Sequence, residues 1–403
     1  MLISLRRKFF YAVTLITVAL FVVSLWSVYR DELLWLKVDK WESCEKVIWQ
    51  NSFSNLLRIF LNPDHKNHKT DQDILDTYGS RQCHDILRHD FPHPIATSIE
   101  IEFPIAYGIL VYKGGPLLEQ LFKAIYMPHN AYCLHVDVKA SETFERAVKS
   151  MTRCLSNVFI TKKTLDVIWA HISIIQAQLN CMEDLLESPI KWKYFINLVG
   201  QDFPLYDNNG IVTALQTLQG KNNIESFPMP ERNYYRTQFV YRFEKTGEFS
   251  HDYRRIQTSL RKEPPPYGLK LFKGSNHVAL TRNFVQFILY DKKANEFFNW
   301  LNDTFIPDEA FYATLQQIPG VPGGIHGNHS WFMRRLMWFN DVCYGQIVRE
   351  ICWLSVADLR WALSKQESKW LFIQKIPFDY DKRLLKCLRM AITGRKYGQS
   401  YFP

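Results

Sequence analysis

The feature that most constrains the fold is an alternation of strand-like and helix-like segments between residues 104 and 200. The apolar, β-rich runs are PIAYGILVY (104–112), AYCLHVDV (131–138), NVFIT (157–161) and KYFINLVG (193–200). Segments with helical spacing separate them at 116–127, 141–151 and 167–187. This order predicts an α/β fold with a mostly parallel central sheet and helices on its faces.

Ligands of such sheets bind at the carboxyl ends of the strands, and Asp137 ends the strand LHVD. Its carboxylate can bind a ribose hydroxyl or a base N–H there, or can simply belong to a turn. The first turn between a strand and a helix offers only Gly114-Gly115, so the dinucleotide fingerprint is absent. The sequence also lacks the P-loop, H-E-x-x-H and G-x-S-x-G motifs, which argues against NTPases, zinc proteases and α/β-hydrolases.

The N-terminal run 9–29 contains 21 residues without a charge, enough for a helix that crosses a bilayer. Arg6, Arg7 and Lys8 precede it, and such positive flanks stay in the cytosol. We therefore predict a cytoplasmic tail at 1–8, a signal anchor at 9–29, a luminal stem at 30–100 and a folded domain at 101–403. A cleaved secretory signal is the alternative for the same run.

The cysteine content agrees with a luminal location. The eight cysteines form no C-x-x-C pair, so four disulfides in an oxidising compartment are the natural interpretation, although spacing leaves their pairing open. Sequons at Asn302 and Asn328 are compatible with glycosylation. The formal charge of +9 suits nucleic acid, an anionic membrane or a phosphate-bearing substrate, and a luminal location argues against nucleic acid.

Four separated stretches carry a family resemblance. The runs FPIAYGILVYKGGPLLEQLFKAIYMPHNAYCLHVDVKA, WKYFINLVGQDFPL, KGSNHVALTR and IPDEAFYATLQQIPGVPG resemble the core-2/I-branching β1,6-N-acetylglucosaminyltransferases, over roughly residues 83–390. The resemblance implies a type II Golgi membrane protein with a GT-A-like fold. It further implies an inverting transfer from UDP-GlcNAc to mucin-type O-glycans, with a core 1 acceptor and no metal or other cofactor. A homodimer is compatible with it.

The resemblance also implies a set of paired and catalytic residues. The implied disulfides are Cys44–Cys387, Cys83–Cys154, Cys133–Cys181 and Cys343–Cys352. The strand end Asp137-Val138-Lys139 lacks the second carboxylate of a metal-binding D-x-D, so fixed cations would have to stabilise the leaving UDP. The family's positions for these cations are Arg349 and Lys375.

Glu309 matches the general base of the family. Asp308 and Glu309 also follow Pro307, so both acids can equally be explained as the charged first turn of a helix. An inverting transferase needs one base beside the acceptor hydroxyl, and the resemblance assigns that role to Glu309.

Other positions match the substrate pockets of the family: Asp137 and Trp169 for the donor, and Glu225, Arg236 and Trp338 for the acceptor. Trp169 replaces a usual tyrosine, and His277 replaces a common aromatic residue. UDP-glucose is therefore an alternative donor. The rivals are a non-catalytic luminal glycan-binding protein on the same fold and, more weakly, a protein O-xylosyltransferase.

Overall fold

This computed structural model describes residue 44 and residues 66–92, 95–247, 252–327, 331–364 and 370–396. The predicted tail, the predicted anchor at 9–29 and the sequon at Asn328 lie outside these ranges. Among the helices that are described, none is both long and apolar enough to span a membrane. The anchor therefore stays a prediction.

A five-stranded sheet forms the centre of the fold, in the order β10-β4-β1-β2-β3. Strands β1, β2, β3 and β4 are mutually parallel where they pair, and only β10 runs antiparallel. This confirms the predicted mostly parallel sheet. The strands are β1 Ile105–Val111, β2 Ala131–Val136, β3 Val158–Ile160, β4 Tyr194–Val199, β5 Phe203–Pro204, β6 Phe227–Pro228, β7 Phe239–Lys245, β8 Tyr253–Arg261, β9 Phe272–Lys273, β10 Ala279–Thr281, β11 Arg334–Leu336, β12 Gln346–Val348, β13 Ile351–Trp353 and β14 Phe372–Gln374.

Helices cover both faces of this sheet, and each face has its own cluster of buried apolar side chains. Because β1, β2 and β4 are buried almost throughout, they read as continuous apolar runs. The helices are α1 Asp71–Gly79, α2 Cys83–His89, α3 Ser98–Glu102, α4 Gly115–Ile125, α5 Glu142–Thr152, α6 Ser173–Glu187, α7 Asn208–Gln216, α8 Tyr235–Gln238, α9 Arg282–Tyr290, α10 Lys292–Trp300, α11 Asp308–Leu315, α12 Leu359–Ala362 and α13 Lys382–Lys396.

One predicted helix begins later than its apolar pattern indicates. Residues 167–187 have helical spacing, yet α6 starts only at Ser173. Ala170 has φ +64, which no helix allows, and the Ser173 hydroxyl accepts a hydrogen bond from the Ile168 amide at 2.8 Å. Residues 167–172 therefore form a loop, and this loop carries Trp169.

Smaller sheets extend the body beyond the central sheet. Strand β14 joins parallel β11 and antiparallel β5, while β12–β13 and β7–β8 form antiparallel hairpins and β6 pairs with β9. A third apolar cluster lies under β5, β14 and α13. These late elements bring the C-terminal quarter of the chain to the carboxyl edge of the central sheet.

Part of the predicted stem packs against the body. Ile74 and Tyr78 of α1 are buried in the first apolar cluster, and the Tyr78 hydroxyl donates to Glu119 on α4 at 2.7 Å. The structure contains the four disulfides that the resemblance implied: Cys44–Cys387, Cys83–Cys154, Cys133–Cys181 and Cys343–Cys352. The first two tie segments before residue 101 to the later domain.

Candidate active site

The carboxyl ends of the parallel strands meet at one edge of the sheet. The Asp137 amide, just after β2, donates to Val111 O at the end of β1 at 2.9 Å. The Gly200 amide, just after β4, donates to Leu110 O at 3.2 Å. The predicted donor residue Asp137 therefore lies at the edge where α/β sheets bind their ligands.

Asp137 is almost fully buried and organises this edge. Its carboxylate accepts hydrogen bonds from the Val167 and Lys139 amides, both at 3.0 Å. The Lys139 ammonium also donates to it, and lies 3.0 Å from the Asp166 carboxylate. The Lys139 ammonium thus lies between the carboxylates of Asp137 and Asp166. The hydrogen bond from the Val167 amide to Asp137 ties down the start of the loop that carries Trp169.

Trp169 contacts both Phe305, which precedes the Glu309 segment, and the predicted donor cation Arg349. Its side chain is 58% exposed, and its ring meets Phe305 edge-on at 6.0 Å between centroids. The guanidinium of Arg349 lies 5.5 Å from the Trp169 ring centroid. The Ile306 amide donates to Ala170 O at 3.0 Å, which fixes the Trp169 loop against the segment that leads to Glu309.

Arg349 is presented by the turn of the β12–β13 hairpin. Arg349 and Glu350 have φ of +50 and +68, as a two-residue type I′ turn requires, although such turns favour asparagine and glycine. Non-glycine residues with positive φ carry backbone strain that clusters at functional sites. The Cys343–Cys352 disulfide clamps the loop that contains this turn.

Lys375 directly follows β14 and lies near Arg349. Its carbonyl accepts from the Leu354 amide at 2.9 Å, which joins it to the end of the β12–β13 hairpin. Burial lowers the pKa of Lys375, and the positive charge of Arg349 lowers it further. The structure thus brings the two predicted cations together on the Trp169 side of the site.

Glu309 lies in the first turn of α11 and is contacted by two cations. Arg236 donates from Nη1 to Oε2 at 2.6 Å, and Lys273 Nζ lies 3.0 Å from the same oxygen. Among the described residues, no hydrogen bond reaches Glu309 Oε1. Both cations therefore contact the same carboxylate oxygen of Glu309.

Glu225 lies beside this cluster, and its pKa is raised by burial and by the nearby charge of Glu309, while Lys273 opposes the rise. Strand β9 brings these groups together through Gly274, whose amide donates to Glu309 O at 2.8 Å. A Cβ at Gly274 would lie 1.7 Å from the Glu225 carbonyl oxygen, so only glycine allows this approach. Sequence reasoning missed Lys273, which no local motif marks.

The sequence also points to Trp338 as an acceptor residue and to His277 as a replaced aromatic residue. Trp338 pairs through its backbone with Ile351, so it stands beside the Arg349 hairpin, and its side chain is 46% exposed. In the described parts of the chain, no contact joins it to Glu309 or Arg236. His277 is partly buried, burial lowers its pKa well below the usual value, and its side chain hydrogen-bonds Gln374.

The described residues contain no group of three or more His, Cys, Asp or Glu side chains suited to hold a metal ion. Asn302 is exposed on the surface, whereas Asn328 is outside the described ranges. The substrate roles of Asp137, Trp169, Glu225 and the other predicted site residues stay predictions.

Comparisons with known proteins identify the family. The model for the Core-2/I-Branching enzyme matches residues 105–362. Beta-1,3-galactosyl-O-glycosyl-glycoprotein beta-1,6-N-acetylglucosaminyltransferase 4 of Mus musculus is 37% identical over 333 residues, covering 79% of this chain and 71% of that protein. The N-acetyllactosaminide beta-1,6-N-acetylglucosaminyl-transferase of Mus musculus is 39% identical over 308 residues, covering 75% of each.

Among solved structures, a mannose-1-phosphate geranyltransferase from Thermus thermophilus is similar at 13% identity and a TM-score of 0.24, covering 52% of this chain and 72% of that one. The family match spans most of the folded domain, including every element that carries Asp137, Glu309 and Arg349. The chain therefore belongs to the Core-2/I-Branching enzyme family, and it is a hexosyltransferase.

Proposed function

We propose that this chain is an inverting, metal-independent β1,6-N-acetylglucosaminyltransferase with a GT-A-like fold. Its donor is UDP-GlcNAc, and its acceptor is the core 1 disaccharide of mucin-type O-glycans. One chain of contacts carries the proposal. Arg349, which lies near Lys375, contacts the Trp169 ring, and that ring contacts Phe305. Phe305 in turn contacts Arg236, whose guanidinium holds Glu309. A single displacement at a sugar carbon needs a base and an anion site in one pocket, and this chain of contacts supports that arrangement.

The reaction follows from this arrangement. Glu309 accepts the proton of the acceptor 6-hydroxyl, and its Oε1 is the free oxygen. The hydroxyl oxygen forms a bond to the anomeric carbon while the bond from that carbon to the UDP oxygen breaks. UDP leaves with the electron pair, and Arg349 and Lys375 stabilise the negative charge that develops on its phosphate.

Metal independence is supported by the residues at the strand end. Metal-dependent transferases hold a divalent ion between carboxylates, whereas here the Lys139 ammonium already lies between Asp137 and Asp166. Arg349 and Lys375 supply two further positive charges at the same edge. We expect transfer to continue in EDTA, and a loss that manganese restores would overturn the metal-free reaction.

UDP-glucose is the alternative donor, because the exposed Trp169 borders the donor side where a tyrosine is usual. We place the enzyme in the Golgi membrane as a type II protein with a luminal catalytic domain. Four disulfides in the structure support an oxidising compartment, and the exposed Asn302 is accessible to glycosylation.

The decisive experiment incubates the full-length chain with a panel of UDP-sugars and a core 1 acceptor, followed by linkage analysis of the product. We expect a β1,6-linked N-acetylglucosamine. Transfer of glucose would show that the donor is UDP-glucose, and transfer only to N-acetyllactosamine would show that core 1 is not the acceptor. Glycan binding with no transfer and no thermal stabilisation by UDP would favour a glycan-binding protein instead.

A further inference from the structure

Asp308, the residue before the proposed base, is a carboxylate that the reaction above does not use. Its Oδ2 atom accepts a hydrogen bond from Asn276 Nδ2 at 3.0 Å. Its Oδ1 atom is buried and has no hydrogen-bond partner among the described residues. Such buried, half-satisfied carboxylates are costly, so a functional reason for this one is worth seeking.

The position of Asp308 is fixed from the central sheet. Asn276 O accepts from Asn197 Nδ2 at 2.6 Å, and Asn197 Oδ1 accepts from the Val278 amide at 2.8 Å. Asn197 belongs to β4, which lies between β1 and β10. A chain of hydrogen bonds from β4 through Asn276 therefore holds the Asp308 carboxylate at the first turn of α11.

The charges around Glu309 suggest what the carboxylate does. Arg236 and Lys273 both contact Glu309 Oε2, so two positive charges lie against the proposed base. As a general rule, a nearby positive charge favours the ionised form of a carboxylate, and a nearby negative charge opposes it. Asp308 is the adjacent residue, and Glu309 acts electrostatically on it, so the two carboxylates are coupled.

The proton affinity of Asp308 is set by the groups packed around it. Burial and then the charge of Glu309 raise the pKa of Asp308 to about 7, while Arg236 and the amide of Asn276 act in the opposite direction. Tyr312, one turn further along α11, is neutral, and Asp308 helps to raise its pKa. We therefore expect Asp308 to change charge near neutral pH.

We propose that Asp308 is a positioning residue for the transfer: its ionised carboxylate, fixed by Asn276, offsets the two cations on Glu309 and so makes Glu309 a stronger base. This inference rests on the proposed function. General-base catalysis follows Brønsted behaviour, so a stronger base gives a faster proton transfer. The ionisation of Asp308 should then appear as a rise in kcat with increasing pH.

The test compares the pH dependence of kcat for the full-length wild type and Asp308→Asn between about pH 5.5 and 8.5. We expect wild-type kcat to rise roughly threefold through a midpoint near 7. Asp308→Asn keeps the shape and a hydrogen-bond acceptor for Asn276, so it should stay on the lower plateau. Its UDP affinity should not change.

A second variant covers the case in which Asp308→Asn does not fold. Asn276→Ala keeps the Asp308 carboxylate but removes the hydrogen bond that fixes it and lowers its pKa, so the step should move to higher pH. A step of unchanged midpoint in Asn276→Ala, or a step that persists in Asp308→Asn, overturns the proposal. So does an equal loss of turnover at every pH, because a purely structural role would give that result.

The proposal and the proposed function fail in different ways. Wild-type transfer without a step near pH 7 rejects the role of Asp308 and leaves the transferase standing. An infrared difference spectrum between pH 5.5 and 8.5 follows Asp308 without any turnover. If the wild type transfers no sugar, the proposed function is wrong. A carboxyl band that the wild type shows and Asp308→Asn lacks would belong to Asp308, whereas identical spectra for the two proteins would show independently that Asp308 does not titrate there.

Discussion

Replacing Asp202 by asparagine would break its buried ion pair with Arg334. Both side chains of the Asp202–Arg334 pair are fully buried, with Arg334 Nε 3.0 Å from Asp202 Oδ1. Burial raises the pKa of Asp202 to about 6 and lowers the pKa of Arg334. Burial opposes both charges, and the attraction between the two side chains offsets part of that cost. The loss of one partner alone, however, leaves the other charge unpaired.

The size of the effect follows from this burial. Asparagine has the volume of aspartate and can still accept from the Val199 amide, which now bonds Asp202 Oδ2 at 2.7 Å. The main loss is then the charge opposite Arg334, and breaking a buried pair costs about 3–5 kcal/mol. For a chain of this size the melting temperature should fall by roughly 4–6 °C. Thermal unfolding of the full-length chain, followed by circular dichroism at one scan rate, measures it.

A surface ion pair of the same chain is the control. Lys66 and Asp379 lie 2.5 Å apart but are more than half exposed, so Asp379→Asn should cost about 0–1 kcal/mol. The double variant Asp202→Leu with Arg334→Met removes both charges and should recover most of the loss. If Asp202→Asn melts within about two degrees of Asp379→Asn, or if the double variant is less stable than the single one, the unpaired-charge reasoning is refuted.

Three further outcomes concern the site itself. Glu309→Gln should lower turnover at least about a hundredfold with UDP affinity nearly intact, and near-wild-type turnover would reject this base. Because burial and Arg349 lower the pKa of Lys375, UDP affinity should weaken as the pH rises above neutrality toward that lowered pKa. Lys375→Arg stays charged and should lose this slope in calorimetric titrations. Replacing Cys343 and Cys352 by serine should cost about 2–3 kcal/mol of stability and raise the Kd for UDP; an unchanged Kd would show that the disulfide does not hold Arg349 in place.

Local patterns were sufficient to predict four of the five strands of the central sheet, and they missed the short antiparallel strand β10. Strands β1 to β4 are short, apolar and separated by helices with clear periodicity, so each strand could be predicted from its own residues alone. The prediction erred at the start of α6, because the apolar spacing of residues 167–172 continues that of the helix. The positive φ of Ala170 and its contact with Ile306 depend on the folded chain and leave no periodic signal.

The candidate site was predictable only where a family motif crosses it. Glu309 and Arg349 belong to recognisable stretches, whereas Lys273 reaches Glu309 from a two-residue strand that is too short to have a pattern. The approach depends on Gly274, whose missing Cβ leaves room for the Glu225 carbonyl. Contacts of this kind join residues far apart in sequence, and a single sequence contains no record of them.

Asn197 on strand β4 uses its side chain and its backbone carbonyl for different contacts, so a substitution can remove the first set and keep the second. The side chain of Asn197 bonds Asn276 and Val278 on the base side, whereas its backbone carbonyl accepts from Arg334 at 2.7 Å on the other side. Asn197→Leu removes the side-chain bonds but keeps that carbonyl. It should therefore lower kcat by tenfold or more, on the order expected for a misplaced catalytic group, while UDP affinity changes less than threefold. Parallel calorimetry and turnover measurements distinguish the outcomes. Equal losses in both quantities would mean that β4 holds the site as one unit and that the base side has no separate support.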